Sequence, residues 1–195
     1  MSEEISRRFF CRIALAVPLF FMSHRQPVAK ATPACPSDLP TPEETEGPYF
    51  KPRSPERRSL LEPGIEGRHL VLSGLVMTTG CVPVSGAVLD FWHADASGEY
   101  DNSGFRLRGH QLTDDQGRYR LETIIPGVYT GRTRHIHVKV QAPGTPILTS
   151  QLYFPGEVRN QSDWLFRQDL LVTVIDAGKT MRARFDFVIA TPTDS

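Results

Sequence analysis

The sequence predicts an all-β protein, a single β-sandwich domain preceded by a proline-rich N-terminal arm. Short runs of β-branched and aromatic residues, separated by Gly, Pro, Asp and Asn, recur along residues 69–195, as is typical of sandwiches and barrels. The sequence shows no amphipathic helical pattern of useful length and no internal repeat. A chain of 195 residues with 39% apolar residues can bury one core, so we expect one catalytic-sized domain.

The first 31 residues are predicted to be an export signal and not part of that domain. Arg7 and Arg8 precede an apolar run from Ile13 to Met22, which is shorter than the roughly 18 residues of a membrane-spanning helix. The arginine pair resembles a twin-arginine signal, and Ala29-Lys30-Ala31 supplies the small residues that signal peptidase accepts. We expect an exported, periplasmic or secreted protein with no stable membrane association after cleavage. The alternative is an uncleaved N-terminal anchor.

Residues 32–68 form the predicted arm, which contains eight of the 16 prolines of the chain. Proline removes a backbone donor and disfavours both helix and central strand, so this segment is expected to lie over the core. Cys35 of the arm and Cys81 of the domain would meet an oxidising compartment after export. A disulfide between them and two independent thiols are both compatible with the sequence.

Seven strands are predicted in the domain, residues 69–195. In the last of them, charged and apolar side chains alternate from Arg182 to Phe187, so one face is solvated and the other is packed. Turns at residues 115–117, 126–127 and 143–144 separate the runs. The predicted strands are His69–Val76, Val84–His93, Tyr119–Ile124, Ile136–Gln141, Ile147–Phe154, Leu170–Ile175 and Arg182–Ile189.

A histidine pair lies where one of these strands begins. Side chains at i and i+2 of a strand point to the same side, so His135 and His137 are aimed at one point. Such pairs bind zinc or copper, and they also occur on plain surfaces. Tyr129 precedes the pair, and Tyr100 ends the loop that begins at Trp92. Two phenolates with two imidazoles would favour a hard trivalent cation, Fe(III); the alternative is two ordinary sheet tyrosines with hydrogen-bonded hydroxyls.

The charge balance bears on the partner. Lys plus Arg and Asp plus Glu both total 22, which gives a formal net charge of zero. A basic stripe of the kind that binds nucleic acid is absent from the sequence. A small organic partner is therefore the better expectation.

Six segments together resemble the intradiol ring-cleavage dioxygenases, the family of catechol and protocatechuate dioxygenases, and they occur in that family's order. The resemblance implies an intradiol dioxygenase core with a prealbumin-like sandwich. The segments are Thr45–Phe50, Trp92–Tyr100, Thr113–Tyr119, Pro126–Tyr129, Arg132–His137 and Gln151–Gly156.

The resemblance also implies a metal site and a reaction. In the family's mechanism the axial tyrosinate, here Tyr129, takes a proton from the substrate, and Arg132 would stabilise the negative charge that develops during oxygen attack. Gln151 falls near the bound ring and oxygen. A small aromatic diol and O2 would give a muconate-type dicarboxylate. The residues that match the ferric iron ligands are Tyr100 and His135 as the equatorial pair and Tyr129 and His137 as the axial pair.

Several features fit the family less closely. The link between Tyr129 and His135 is short and lacks the tryptophan of many relatives, and the arm cannot be a helical dimerisation domain. A homo-oligomer is compatible with the sequence. Trp92 matches a family tryptophan, for which core packing explains as much as substrate contact does. Four further basic side chains are expected in solvated loops and not against a substrate, namely His93, Arg106, Arg108 and His110.

Two alternatives to this function stay open at the level of sequence. A non-enzymatic, secreted prealbumin-like sandwich that binds a ligand would share the strand pattern and turns, but it would have no reason to hold the four ligands and Arg132 together. A zinc or copper protein would use the histidine pair alone.

Overall fold

The computed structural model describes residues 39–129 and 131–190. The predicted export signal and Cys35 lie outside the described residues. Within them the protein has nine strands and two short 3-10 helices, at Val158–Gln161 and Gln168–Leu170. The strands are β1 (His69–Thr78), β2 (Val88–Trp92), β3 (Arg108–Leu112), β4 (Arg118–Ile124), β5 (His135–Gln141), β6 (Leu148–Tyr153), β7 (Thr173–Asp176), β8 (Met181–Arg184) and β9 (Phe187–Ile189).

Two sheets face each other across one core, which confirms the predicted β-sandwich. The first has the order β4-β1-β8-β7, with β9 also paired to β1, and the second has the order β3-β2-β5-β6. Each contributes alternate residues to the interior, as the period of two requires. Leu70 and Leu72 of β1 face Ile136 and Val138 of β5 in the same cluster of buried residues.

Two strand predictions need correction. β3 was not predicted, because Arg108, His110 and Gln111 give it none of the β-branched residues that mark a strand. The single strand predicted at the end of the chain is divided into β8 and β9. Between them the backbone N–H of Leu75 on β1 donates to the Asp186 carboxylate at 2.8 Å, and the Phe185 carbonyl oxygen lies so close to Gly74 that an added Cβ would be 1.7 Å away.

The arm seals one edge of each sheet by backbone hydrogen bonds. The N–H of Glu44 donates to Thr149 O on β6, and the N–H of Leu60 donates to Glu122 O on β4, both at 2.8 Å. Satisfying these edge groups covers strand edges that would otherwise be open to other chains. The same path carries residues 45–50 over the outward face of the second sheet.

Two further findings concern the predicted disulfide and the membrane. Cys81 is disulfide-bonded, but its pairing with Cys35 stays a prediction because Cys35 is not among the described residues. In the part of the chain that the structure describes, no helix is long and apolar enough to cross a bilayer.

Candidate metal centre

The candidate site lies on the face of the second sheet that is turned away from the core. The strand register places Trp92 of β2 and Gln151 of β6 on either side of His137 of β5. Gly47 of the arm passes over this row with a φ of +69°, and an added Cβ there would lie 3.4 Å from His137 Cε1. Glycine therefore lets the arm close over the imidazole in a backbone conformation that other residues rarely adopt.

The two imidazoles point their Nε2 atoms at one place. His135 Nδ1 lies 2.7 Å from the carbonyl oxygen of Thr133 and donates to it, which fixes the tautomer and leaves Nε2 as a lone pair. His137 Nε2 lies 3.1 Å from His135 Nε2, so the two nitrogens face a common point. His137 Nδ1 is buried without a partner among the described residues, so structural hydrogen bonding does not explain its burial.

Both imidazoles are held in the neutral form that a metal requires. Burial lowers the pKa of His135 to about 4, opposed by the hydrogen bond to Thr133. Burial, together with the nearby His135, also lowers the pKa of His137 well below its usual value. A cation held by this pair therefore would not have to displace a proton from an imidazolium at neutral pH.

Three phenols lie beside the imidazoles. Tyr100 Oη is 3.5 Å from His135 Nε2, and the Tyr129 ring meets the Tyr100 ring edge-on at 5.9 Å. Tyr49 of the arm stacks on Tyr100, with ring centroids 4.3 Å apart and 13° between the planes. Its Oη lies 2.9 Å from Tyr129 Oη. Burial raises the pKa of Tyr100, and nearby Arg132 and Arg108 oppose that rise.

The structure thus brings together the four predicted ligands, with Tyr129 hydrogen-bonded to Tyr49 and not to an imidazole. The donor chemistry fits Fe(III), since phenolate oxygens are hard donors and the imidazoles are neutral. Among the described residues, no group of three or more His, Cys, Asp or Glu side chains could hold a metal. A metal at this place therefore depends on the phenols.

Arg132 is held at the edge of the cluster by three acceptor residues, of which Tyr153 is the most distant, with its Oη 3.3 Å from Nη2. Its Nε donates to Asp163 Oδ2 at 2.9 Å, and its Nη2 donates to Gln151 Oε1 at 2.6 Å. Gln151 is fully buried, and its Nε2 donates to the carbonyl oxygen of Thr45 in the arm. Gln151 therefore joins the arginine to the arm, and both ends of its amide are used.

The carboxylate of Asp163 is the anchor of this group. Burial alone would raise the pKa of Asp163, but the backbone N–H groups of Thr133 and Leu165 and the Arg132 guanidinium together hold it below the ordinary value. Its side chain is 0% exposed. Tyr153 Oη donates a hydrogen bond to the carbonyl oxygen of Leu165, in the loop that carries Asp163. This bond helps to hold the loop in place.

Trp92 lines the site beside His137 and does not belong to the apolar core cluster. It is 1% exposed and stacks on His137 at 4.9 Å with 6° between the planes. The expectation of solvated loops holds for the exposed Arg106 but is wrong for His93 and Arg108, each 1% exposed. His93 is satisfied by the carbonyl oxygen of Ala94 and the hydroxyl of Thr123; buried backbone and hydroxyl oxygens replace water in its case.

Tyr49 is the site residue that sequence reasoning missed. It belongs to the segment Thr45–Phe50, which resembles the family, but no local pattern in that segment assigns a role to this tyrosine. Its partner Tyr129 is 80 positions away, so the contact leaves no local periodic pattern.

A phenol and imidazole cluster on the outside of a sandwich sheet is an arrangement for chemistry and not for packing. Residues 45–191 match the family model Dioxygenase_C, described as dioxygenase, which sets the class. The dioxygenase domain of a dioxygenase carbohydrate-binding protein fusion from Streptomyces sp. SirexAA-E is 54% identical, with a TM-score of 0.76 over 78% of this chain and 99% of that one.

Two curated enzymes narrow the class. Chlorocatechol 1,2-dioxygenase of Pseudomonas sp. strain P51 is 30% identical over 74% of this chain and 68% of its own length. Catechol 1,2-dioxygenase of Pseudomonas sp. strain EST1001 is 30% identical over 67% of this chain and 53% of its own length. The chain thus spans only about half to two thirds of these enzymes. It belongs to the intradiol ring-cleavage dioxygenases, which are oxidoreductases.

Proposed function

We propose that this enzyme binds one Fe(III) through Tyr100, Tyr129, His135 and His137 and uses O2 to split a catechol-type ring between its two hydroxyl-bearing carbons. Both oxygen atoms would enter the product, a muconate-type dicarboxylate. The observation that carries the proposal is the convergence of two buried Nε2 atoms, 3.1 Å apart, with the Tyr100 phenol 3.5 Å from one of them. The names of the catechol and chlorocatechol dioxygenases among the relatives support this substrate class.

Bound Fe(III) would act as a Lewis acid that draws electron density from the ring of the substrate. The diol must lose its protons to bind as a dianion, and Tyr129 Oη is the proposed acceptor of one of them. Tyr49 Oη, 2.9 Å away, is placed to hold the neutral phenol that results. The hydrogen bond to Tyr129 raises the pKa of Tyr49.

Arg132 is the proposed source of positive charge at the reacting ring. Asp163 and Gln151 engage its Nε and Nη2, whereas Nη1 has no hydrogen bond to any described residue. A guanidinium cannot lose its proton at neutral pH, so it would stabilise negative charge that develops as oxygen attacks. Because its partners hold it before the substrate arrives, little reorganisation is needed at that moment.

The side chains around the donors are aromatic. Tyr49 stacks on Tyr100, and Trp92 contacts both His137 and Phe50, with ring centroids 4.9 Å from each. These rings exclude water from the donors, and surroundings of this kind suit an aromatic substrate. We therefore propose a catechol or a substituted catechol as the substrate.

The visible spectrum tests the ligand assignment. Iron-loaded wild-type protein should be burgundy, because tyrosinate bound to Fe(III) gives a charge-transfer band, and the double variant Tyr100→Phe, Tyr129→Phe should lose the band. Tyr119→Phe is the matched control, since Tyr119 is a buried tyrosine whose Oη donates to Phe185 O away from the site. A colourless wild type with full iron occupancy would refute the assignment.

Oxygen uptake tests the reaction. Purified, iron-loaded protein is offered a panel of catechol, protocatechuate, hydroxyquinol and chlorocatechol, and one O2 should be consumed for each ring opened. Mass spectrometry after reaction in 18O2 should find both labelled atoms in the dicarboxylate. Uptake with a product that retains only one labelled atom would contradict ring cleavage by a dioxygenase.

Export of the enzyme is also a proposal, supported by the arginine pair and the apolar run near the N-terminus. Expression in a bacterial host with a twin-arginine pathway, followed by fractionation and N-terminal sequencing, should give periplasmic protein that begins at Thr32. The variant with Arg7→Lys and Arg8→Lys should stay in the cytoplasm. Wild-type protein found only in the cytoplasm with Met1 intact would contradict the proposal.

A further inference from the structure

A buried arginine lies directly behind the two stacked phenols. Arg108 of β3 is 1% exposed, and within residues 39–129 and 131–190 no carboxylate forms an ion pair with it. The carboxylates of Asp101 and Asp90 act on it without forming an ion pair, and burying a charge that is offset only in part costs free energy. An apolar side chain of similar volume would fill this space at lower cost, so the presence of a guanidinium calls for a role beyond packing.

The hydrogen bonds of Arg108 identify that role. Its Nη1 donates to the carbonyl oxygen of Tyr49, and its Nε and Nη2 donate to the carbonyl oxygen of Asp101 at 3.2 and 3.0 Å. Asp101 directly follows Tyr100, so one guanidinium joins the backbones that carry both rings of the stack. The cation also lies 5.9 Å from the centroid of the Tyr100 ring, within the range of a cation–π contact.

The two joined segments come from distant parts of the chain. Tyr49 lies on the arm, and Tyr100 lies on the loop that follows β2. Lys51 of the arm also bonds this loop, at the carbonyl oxygens of Asn102 and Gly104, but Arg108 bonds the carbonyl of Tyr49 itself and that of the residue next to Tyr100. The stack of 4.3 Å fixes only the two rings relative to each other. Arg108 attaches the pair of tyrosines to β3. The strand register places β3 beside β2, with Arg108 opposite Trp92.

We propose that Arg108 is a positioning residue that fixes the Tyr49–Tyr100 pair against the sheet and so aims the Tyr100 phenol at His135. This inference rests on the proposed function, because it gives Arg108 a part in placing a metal ligand. Its planar fork suits the task, since three of its N–H groups reach two carbonyl oxygens at fixed angles. A flexible ammonium would meet only part of this geometry.

Arg57 provides a matched control, because it contacts the same strand from the arm. It belongs to the arm, and its Nε and Nη2 donate to the carbonyl oxygen of Arg108 at 3.0 and 2.7 Å. It therefore attaches the arm to β3 just as Arg108 does, but its side chain makes no hydrogen bond with Tyr49 or Asp101. A purely structural role in holding the arm would make the two arginines equivalent.

The experiment compares Arg108→Met, Arg108→Lys and Arg57→Met. In the iron-loaded enzyme, Arg108→Met should shift and broaden the charge-transfer band and lower kcat about 10- to 100-fold, as a ligand displaced by about 1 Å would. KM should change less than kcat. Arg108→Lys should recover part of both effects, and Arg57→Met should keep the wild-type band and kcat.

A second measurement does not need iron. The near-ultraviolet circular dichroism of the metal-free protein reports the packing of the tyrosines, and Arg108→Met should weaken it while Arg57→Met should not. Equal spectra and equal kcat in Arg108→Met and Arg57→Met would overturn the positioning role. A wild type that binds no iron would overturn the proposed function, whereas the metal-free comparison would still decide whether Arg108 fixes the tyrosine pair.

Discussion

The two faces of the sheet β3-β2-β5-β6 are built from the same strands but serve different purposes. On β5, Ile136 and Val138 point into the core and are fully buried among apolar side chains. Between and beside them, His135 and His137 are almost as buried, at 4% and 3% exposure, yet they face phenols, an indole and the arm. Equal burial therefore does not mean equal function.

The two faces differ in the partners that their side chains require. The inner face is complete once the two sheets pack, because dispersion and the hydrophobic effect need no particular partner atoms. The outer face needs a specific partner for each polar atom, and the arm provides several of them, such as the carbonyl oxygen of Thr45 for Gln151. His137 Nδ1 has none in the described structure. Trp92 Nε1 and Gln111 Nε2 also lack a partner among the described residues. What marks the site is that this unsatisfied nitrogen belongs to an imidazole that lies beside a second imidazole and phenols.

Substitutions of two adjacent residues of β5 give the largest expected effects and test whether the two faces have different roles. His137→Ala removes a proposed ligand, so iron content after reconstitution should fall at least about 10-fold and activity at least about 100-fold, more than loss of an outer-shell partner costs. Its metal-free form should still fold, because His137 lies outside the apolar core cluster. Iron is measured by plasma emission on purified protein.

Ile136→Ala is the counterpart on the inner face. It should lower the free energy of unfolding by about 2–5 kcal/mol, through lost apolar contact and a residual cavity. The protein that remains folded should still bind iron. Urea unfolding of the metal-free proteins checks the first statement. If His137→Ala keeps its iron while folded Ile136→Ala loses it, the assignment of the two faces is wrong.

The second prediction concerns the anchor of Arg132. Asp163→Asn keeps the shape but removes the charge that orients the guanidinium through Nε at 2.9 Å. We expect kcat to fall about 10- to 100-fold with a smaller change in KM, because the lost interaction matters most as charge develops. Asp169→Asn is the control, since Asp169 pairs with Arg167 on the exposed surface. An equal loss of kcat in both variants would contradict a specific role for Asp163.

The pH dependence of stability provides a second test of the role of Asp163. The pKa of Asp163 is held below its ordinary value of 3.8, so the folded state favours the carboxylate. Its stabilising contribution is present above that ordinary value and is lost as pH falls through the lower pKa of the folded state. The difference in unfolding free energy between wild type and Asp163→Asn should therefore shrink at acid pH, as measured by urea titrations from neutral to acid conditions.

The sequence predicts the parts of this site that depend on local rules. Alternation along one strand is enough to place His135 and His137 on one side and Ile136 on the other. The strand β3 was missed because its buried residues are polar, and Arg108 was assigned to solvent because arginine is rarely buried. Its partners, the carbonyl oxygens of Tyr49 and Asp101, belong to the backbone and carry no signature in the sequence.

The remaining features depend on contacts between distant segments. Tyr49 meets Tyr129 across 80 positions, and Gln151 meets Thr45 across 106. These pairs exist because the arm lies on the outer face, and proline content predicts that an arm is irregular but not where it rests. Family resemblance identified the segment Thr45–Phe50, and only the fold gives that segment a position in the site.

The smallest predicted effect tests whether the arm acts on the site through every one of its attachments. Ser150 of β6 is fully buried, and its Oγ donates to the carbonyl oxygen of Pro42 at 2.7 Å. Ser150→Ala should lower the free energy of unfolding by about 1–2 kcal/mol, since it leaves a buried carbonyl without its donor. The arm keeps its backbone bond from Glu44 to Thr149 O and its link from Thr45 to Gln151.

Residues 45–50 should therefore stay in place in Ser150→Ala, and kcat and the charge-transfer band should match those of the wild type. Ser162→Ala is a suitable control for the substitution itself, because Ser162 is exposed and its Oγ makes only a local bond to Arg159 O. Urea unfolding and steady-state oxygen uptake measure the two quantities separately. A fall in kcat comparable with that of Asp163→Asn would mean that the edge of β6 and the outer face are coupled, and that the arm moves as one rigid piece.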